Sequence, residues 1–456
     1  MPELLDPLFA QDDAELARLR KRVFAATLDR VFAAHPYYRR VFAQQGLRRE
    51  DVPGLADLVK LPVTTKKEYA ADPQAFVLDA TGAADDSETV VWDIMYTTGS
   101  SGAPAPFVST AYDFVNILAL NRNMLRLRGV TSADSILNLF PLTRYPHGAF
   151  ARAMNAAAAM KIPVVAALPG HGSERRPELG SHLDEVAKIA ARSGATILWG
   201  VPTFIRKVAA RAEELGLKLP NVRLVFVTGE SFGDAARQDL EDRLRRLGAA
   251  NPVISVSYGA TEMQGGMVEC APGAGYHNPA PDQFLFEAVD PETHAPLPDG
   301  EEGLILLTHL DRRGTLMLRY ALGDVARLTR ARCPRCGALT ERILSMPRRV
   351  DGLVKIKGML VNPQVLVDTV SAEADVLEFQ AIVAKEDPAS PLSMDRLVLK
   401  IVPAATASAD LIERLQHSVH RAIGVTPAVE QTSTEDRLIS GRGWKTRPII
   451  DLRKPG

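Results

Sequence analysis

The chain has 456 residues, too long for one typical domain, and 46% are hydrophobic, enough for a sizeable core. Its 54 lysines and arginines nearly cancel 55 acids, giving a formal charge of -1, so no basic surplus points to nucleic acid and no acidic excess to a basic partner. Three cysteines argue against a disulfide framework. No run approaches the roughly twenty apolar residues of a bilayer span, and the start "MPELLDPLFAQDDAELARLR" lacks a signal-peptide pattern; a cytoplasmic protein that does not engage membrane is expected.

Residues 12–48 and "DFVNILALNRNMLRLRGV" at 113 carry helical periodicity. Short apolar runs bounded by turn residues then read as buried strands: "SILNLF" at 135, "IPVVAAL" at 162, "ATILWGVP" at 195, "VRLVFVTGE" at 222 and "PVISVSYGATE" at 252. Between them lie the helical segments "SHLDEVAKIAARSG" at 181, "PTFIRKVAARAEELG" at 202 and "GDAARQDLEDRLRRLG" at 233, whose charged faces read as solvated surface. From about residue 280 the texture turns to strands and hairpins. Beyond "RRVDGLVKIKGMLV" come "EFQAIVAKE", "DRLVLKIVPA" and the helix "ADLIERLQHSVHRAIG".

The expected fold class is therefore α/β. A large N-terminal domain, residues 1–350, combines parallel-rich sheets and helices with a β-rich subdomain, and a small α+β C-terminal domain spans residues 351–456, with the boundary at Asp351. In open parallel sheets ligands gather at the carboxyl ends of strands, where "TGE" and "YGATE" fall.

Two patterns carry chemistry by their residue types. "MYTTGSSGAP" at 95–104 sets glycines among hydroxyls, a loop whose amides and hydroxyls suit an anion, phosphate first; lacking the Gly-Lys-Ser/Thr ending of a Walker loop, taken alone it reads rather as an ordinary turn. "CPRCG" puts Cys333 and Cys336 at the spacing that lets two sulfurs share one metal, and Cys270 with His277 in "ECAPGAGYH" completes a candidate Cys3His zinc site. The alternative is free thiols at a tight turn.

Taken in order, "YTTGSSGAP", "YGATEM" at 258, "LRYALGDVARL" at 318, "RRVDGLVKIKG" at 348 and "GRGWKTRPIID" at 441 resemble the adenylate-forming ligases, with "LPVTTKKEY" at 61 adding to a resemblance to the phenylacetate-CoA ligase branch. It covers almost the whole chain. It implies an ATP- and Mg²⁺-dependent acid–thiol ligase that adenylates an aromatic or arylacetic acid and passes the acyl group to CoA. The alternative is an adenylating enzyme that passes it to a carrier protein or an amine. The resemblance also suggests a homodimer.

It further implies roles for particular residues. Thr97, Thr98, Gly99, Ser100, Ser101 and Gly102 would form a phosphate loop, although Ala105 stands where a lysine is frequent in the family. Tyr258, Gly259 and Ala260 with Gly229 and Glu230 would line the nucleotide, Thr261 would meet the α-phosphate and Glu262 would hold Mg²⁺. Read without the family, Thr261 and Glu262 also suit a helix N-terminus. Asp324 would accept the ribose hydroxyls, and Arg349 would engage the nucleotide.

Lys445 would be the catalytic lysine of a mobile C-terminal domain hinged at Asp351, with Gly358 leaving room for the pantetheine of CoA. Tyr145, His147, Gly148, Ala149, Trp199, Gly200, Phe204 and Tyr258 would shape the acyl pocket, a slot suited to a flat ring. Some relatives on this branch carry a comparable Cys/His set, which would be a closed, structural zinc site. A zinc-knuckle protein that reads nucleic acid is disfavoured by the near-neutral charge and the absence of interleaved basic and aromatic residues around "CPRCG".

Overall fold

The computed structural model describes residues 13–79, 85–97, 104–142, 148–170, 180–230, 232–349, 354–356, 359–387, 394–432 and 448–453. The architecture is mixed α/β and divides into two compact units.

The first unit comprises residues 1–134, 144–163 and 255–350. It opens with two helices, Asp13–Ala34 and Pro36–Gln45. His35 breaks the run: its Nδ1 accepts the Tyr38 amide and Pro36 occupies the first turn, while Gly46 closes the second helix with a left-handed φ of 66°. The helix Ala111–Leu127 starts from a Thr110/Asp113 capping box. Asp113 also accepts the amides of Arg313 and Gly314 at 2.8 Å, tying the helix start to a distant turn.

Strands Val91–Tyr96 and Pro106–Thr110 pair antiparallel. Thr97 N–H donates to the Ala105 carbonyl and the Ala105 N–H to Thr97 Oγ1, each at 3.0 Å, which extends the pairing of the two strands by one residue pair. The main sheet of this unit is antiparallel throughout. Its strands run in the order Phe284–Val289, Glu302–His309, Tyr320–Thr329, Arg342–Ile343, Tyr276–His277, Gly265–Glu269 and Val253–Ala260, with Arg348–Arg349 beside Tyr320–Thr329.

The second unit comprises residues 135–143, 164–254 and 351–456. Strands Leu224–Thr228, Ile197–Gly200, Ile136–Asn138 and Val164–Ala166 pair in that order, all parallel. The first three are buried and apolar along their length apart from Thr228 and Asn138, as strands between helical layers must be. The helices Pro202–Glu214 and Asp234–Arg246 depart from the expected solvated faces. Arg206 pairs with Asp239 at 2.9 Å, and Arg243 pairs with both Asp239 and Glu213 at 3.1 Å, all with side chains mostly out of solvent. A helical charge pattern does not distinguish solvent from a neighbouring helix that supplies counter-charges.

The C-terminal stretch of this unit holds a sheet ordered Ala428–Gln431, Asp395–Pro403, Val376–Lys385, Ile449–Asp451. Helix Leu411–Ile423 buries Leu411, Leu415, Val419 and Ile423 on one face. At roughly 1.5–3 kcal/mol for each such side chain, that stripe anchors the helix. Lys207 on helix Pro202–Glu214 forms a largely buried ion pair with Glu378 of the strand Val376–Lys385.

Candidate active site

Within the first unit, Tyr258 lies near the end of strand Val253–Ala260 and Asp324 in strand Tyr320–Thr329. The Tyr258 hydroxyl donates to Asp324 Oδ2 at 2.7 Å. Arg349, directly opposite Asp324 in the ladder, holds Oδ1 through Nε at 3.2 Å and donates from Nη1 to the Leu322 carbonyl at 3.0 Å. Gly323 takes φ 79° between Ala321 and Val325, where the pairing with the neighbouring strand is irregular, and a Cβ there would sit 3.2 Å from Arg349 Nη1. Burial, then the Asp324 charge, pushes the Tyr258 phenol well above its ordinary range. The Asp324 side chain is 10% exposed and that of Arg349 56%, so the carboxylate is shielded and its guanidinium partner can swing into solvent.

Thr261, Glu262 and Met263 form a single 3₁₀ turn, ended by Gln264 at φ 53°. No side-chain cap is made, which corrects the reading of Thr261 as a helix N-cap: antiparallel strand Gly265–Glu269 follows at once, leaving no helix to cap. Glu262 is 7% exposed and is held twice. Tyr320 donates to its Oε1 at 3.0 Å. His309 Nδ1 accepts the Met317 amide at 2.9 Å, so its proton sits on Nε2 and is donated to the Glu262 carbonyl at 3.0 Å. Burial, aided by the Arg312 charge, lowers the His309 pKa to about 3, so the ring is neutral.

Neither Tyr320 nor His309 was singled out from sequence. Tyr320 stands inside "LRYALGDVARL", and that position was the only available signal; nothing local marks His309.

The candidate metal ligands Cys270, His277, Cys333 and Cys336 offer atoms that all lie within 4.8 Å of one another. Cys270 and Cys333 sulfurs are 3.9 Å apart, and Cys336 Sγ is 3.5 Å from His277 Nε2. A tetrahedral zinc with bonds of about 2.3 Å to sulfur has edges of roughly 3.8 Å, so the set has the right size. His277 Nδ1 faces the Val268 carbonyl at 3.2 Å, which fixes the tautomer that leaves Nε2 for a metal. Arg342, across the ladder from His277, reaches Cys333 Sγ at 3.4 Å, as does the Arg335 amide. Two thiols are pushed down, Cys336 by the Cys270 hydrogen bond and then His277, and Cys333, against its burial, by the Cys336 and Arg335 amides and then His277, while the Cys336 contact pushes Cys270 up. Two buried donors, His277 and Cys333, two half-buried ones, Cys270 and Cys336, and a correctly presented imidazole fit a structural zinc site.

The remaining predicted residues are placed as follows. Gly148 and Ala149 open the helix Gly148–Met160 in the first unit, where Gly259 and Ala260 pair with Gly266 and Gly265. In the second unit Trp199 and Gly200 end a buried strand and Trp199 meets Phe226 edge-on at 5.5 Å, while Phe204 lies in the first turn of helix Pro202–Glu214. Gly229 takes φ 89°, and Glu230 accepts from the Thr203 hydroxyl at 2.8 Å, a bond that anchors that helix start. Thr98 to Gly102, Tyr145, His147, Asp351, Gly358 and Lys445 lie outside the described residues. Among the described residues no helix is long and apolar enough to cross a membrane.

The model of the AMP-binding enzyme family matches residues 45–317. The chain is 26% identical to a phenylacetate-coenzyme A ligase of Thermus thermophilus over 95% of both chains. It is also 26% identical to one of Escherichia coli, over 82% of this chain and 79% of that one. Among solved structures, 2-hydroxyisobutyryl-CoA ligase in its postadenylation state superposes with a TM-score of 0.77 at 19% identity, covering 98% of this chain and 91% of that chain, a likeness of fold. The chain belongs to the AMP-binding enzyme family, on the phenylacetate-CoA ligase-like branch of the adenylate-forming enzymes.

Proposed function

We propose that this protein is an AMP-forming ligase that joins an aromatic or arylacetic acid, such as a benzoate, aminobenzoate or phenylacetate, to coenzyme A. The observation that carries this reading is the assembly of Tyr258, Asp324 and Arg349 beside a rigidly held Thr261–Glu262 turn. The relatives named phenylacetate-coenzyme A ligase support the substrate class.

In the first step a carboxylate oxygen of the acid attacks the α-phosphorus of ATP and the bond to pyrophosphate breaks. Asp324 accepts the ribose hydroxyls, and Arg349 turns from the carboxylate toward the nucleotide. Thr261 donates to the α-phosphate, and Thr97 with the residues of the loop that follows binds the outer phosphates. Glu262 would hold Mg²⁺, a hard cation that offsets the charge of the phosphate oxygens. Its clamp by Tyr320 and His309 presets the carboxylate, so little reorganisation remains at the moment of reaction. Lys445 bridges the two reacting anions.

In the second step the CoA thiolate attacks the acyl carbon and the bond to AMP breaks. Residues 351–456 act as a lid hinged at Asp351, exchanging Lys445 for the segment around Gly358, while Gly148 and Ala149 contribute to the acyl pocket. Cys270, His277, Cys333 and Cys336 would hold zinc as a staple of the β-rich region with no part in the reaction.

The test is pyrophosphate release from ATP and Mg²⁺ over a panel of aryl acids, with and without CoA. Acid-dependent release, thioester only with CoA and loss of the adenylation step in Lys445→Ala are expected. Pyrophosphate without any thioester would move the acceptor to a carrier protein or an amine, and no release from any acid would end the ligase reading.

A further inference from the structure

One buried polar cluster in the first unit is not used by the chemistry above. Arg152, on helix Gly148–Met160, pairs through Nη2 with Asp93 Oδ2 at 2.9 Å, the side chains being 6% and 16% exposed. The same Nη2 donates to Gln264 Oε1, and Gln264 Nε2 donates to the Thr261 carbonyl at 2.6 Å. The cluster thus touches the Thr261–Glu262 turn, and Asp93 lies four residues before Thr97 on the strand that leads into the phosphate loop.

The pair leaves one donor and one acceptor unused: Arg152 Nε and Asp93 Oδ1 are buried and have no hydrogen-bond partner. Residue 148, a glycine, bears directly on this guanidinium. A Cβ there would come 3.9 Å from Nε and 3.4 Å from Arg152 Cγ. The neighbouring charges cancel: Arg312, which acts electrostatically on both Arg152 and Asp93, sits 3.9 Å from Asp113, and its guanidinium is already bonded to Thr315, Val108 and Ser109. A bare anion would gain from Arg152 and lose to Asp93 Oδ1. A neutral group that both accepts and donates satisfies both atoms.

We propose that Arg152 and Asp93 form a specificity site that reads a hydroxyl or primary amino substituent of the acid, which accepts from Arg152 Nε–H and donates to Asp93 Oδ1. This rests on the ligase reading above. Leaving buried donors unpaired is what lets such a site reject an analogue lacking the polar group.

The experiment measures kcat/KM for pyrophosphate release with matched pairs of acids: benzoate against its hydroxy and amino derivatives, and phenylacetate against its hydroxy derivatives. Wild type should prefer at least one substituted acid over its parent by about 10- to 100-fold. Arg152→Met, Asp93→Asn and Gly148→Ala should each bring that ratio to within about threefold of unity. Gly148→Ala introduces no clash, and thermal melting identifies variants that have lost the fold; the conservative Asp93→Asn keeps the shape of the site. Parent acids preferred by wild type, or a preference that survives all folded variants, overturns the inference while leaving the ligase standing. No release from any acid overturns the ligase reading and this inference with it.

Discussion

The Tyr258 hydroxyl donates to Asp324 Oδ2 at 2.7 Å across 66 residues of sequence. The carboxylate that would accept ribose is therefore held by two partners of its own, Tyr258 on one oxygen and Arg349 on the other. On the proposed reading, nucleotide binding would exchange these bonds.

Exchange makes the two side chains unequal. Asp324→Ala should raise the KM for ATP about 10- to 100-fold, the loss of hydrogen bonds to a charged acceptor. Tyr258→Phe should change it by less than about threefold, because its hydroxyl competes with ribose for the same oxygen. Initial rates over a range of ATP concentrations check both; equal losses would mean that the hydroxyl belongs to the nucleotide site itself.

Two buried histidines set an acid limit on stability. Burial lowers His35 from 6.5 to about 4 and His309 to about 3. Both are neutral when folded, whereas the unfolded chain takes up their protons below pH 6.5. Their contribution is thus fully present above pH 6.5 and is lost as pH falls toward 4 and 3, at up to ~1.4 kcal/mol per pH unit for each. Urea midpoints between pH 7 and 5, with saturating zinc to keep His277 from titrating, should fall with decreasing pH. His35→Gln should show a shallower fall, and a pH-independent midpoint in wild type would contradict the account.

Zinc should be present at about one equivalent per chain in protein purified without chelator. Cys336→Ser and His277→Ala should lose the metal and lower the melting temperature by about 5 °C or more, as removal of a structural staple does. Metal content by mass spectrometry beside the melting curves tests this. A metal-free wild type that melts like the variants would leave the four side chains as a thiol cluster.

Gly314 holds the turn that meets Asp113. A Cβ there would stand 2.3 Å from the Val108 carbonyl oxygen and 2.9 Å from Asp113 Oδ2, contacts the backbone cannot yield. Gly314→Ala should destabilise by about 2–3 kcal/mol. Gly54→Ala, where nothing lies within 4 Å of the new Cβ, should change stability by less than ~0.5 kcal/mol. Denaturant unfolding of the pair distinguishes a steric requirement from a general intolerance of substitution.

Much of this protein was legible locally. The strands Ile197–Gly200 and Leu224–Thr228 and the helix Leu411–Ile423 follow from runs and periodicities that a short window contains. The motifs around Tyr258 and Asp324 were visible as residue types in order, and with only three cysteines in the chain a Cys3His set was the natural grouping. What tertiary structure alone decided is which of these residues meet, and through what. Tyr258 reaching Asp324, His309 supporting the Glu262 carbonyl from 47 residues away, Gly314 pressed on Val108, and Arg152 joining Asp93 to Gln264 are contacts between segments far apart in sequence. Hydrophobic period and turn chemistry act over a few residues, whereas hydrogen-bond partners and available volume at a buried point depend on how distant strands and helices pack, which no local pattern encodes.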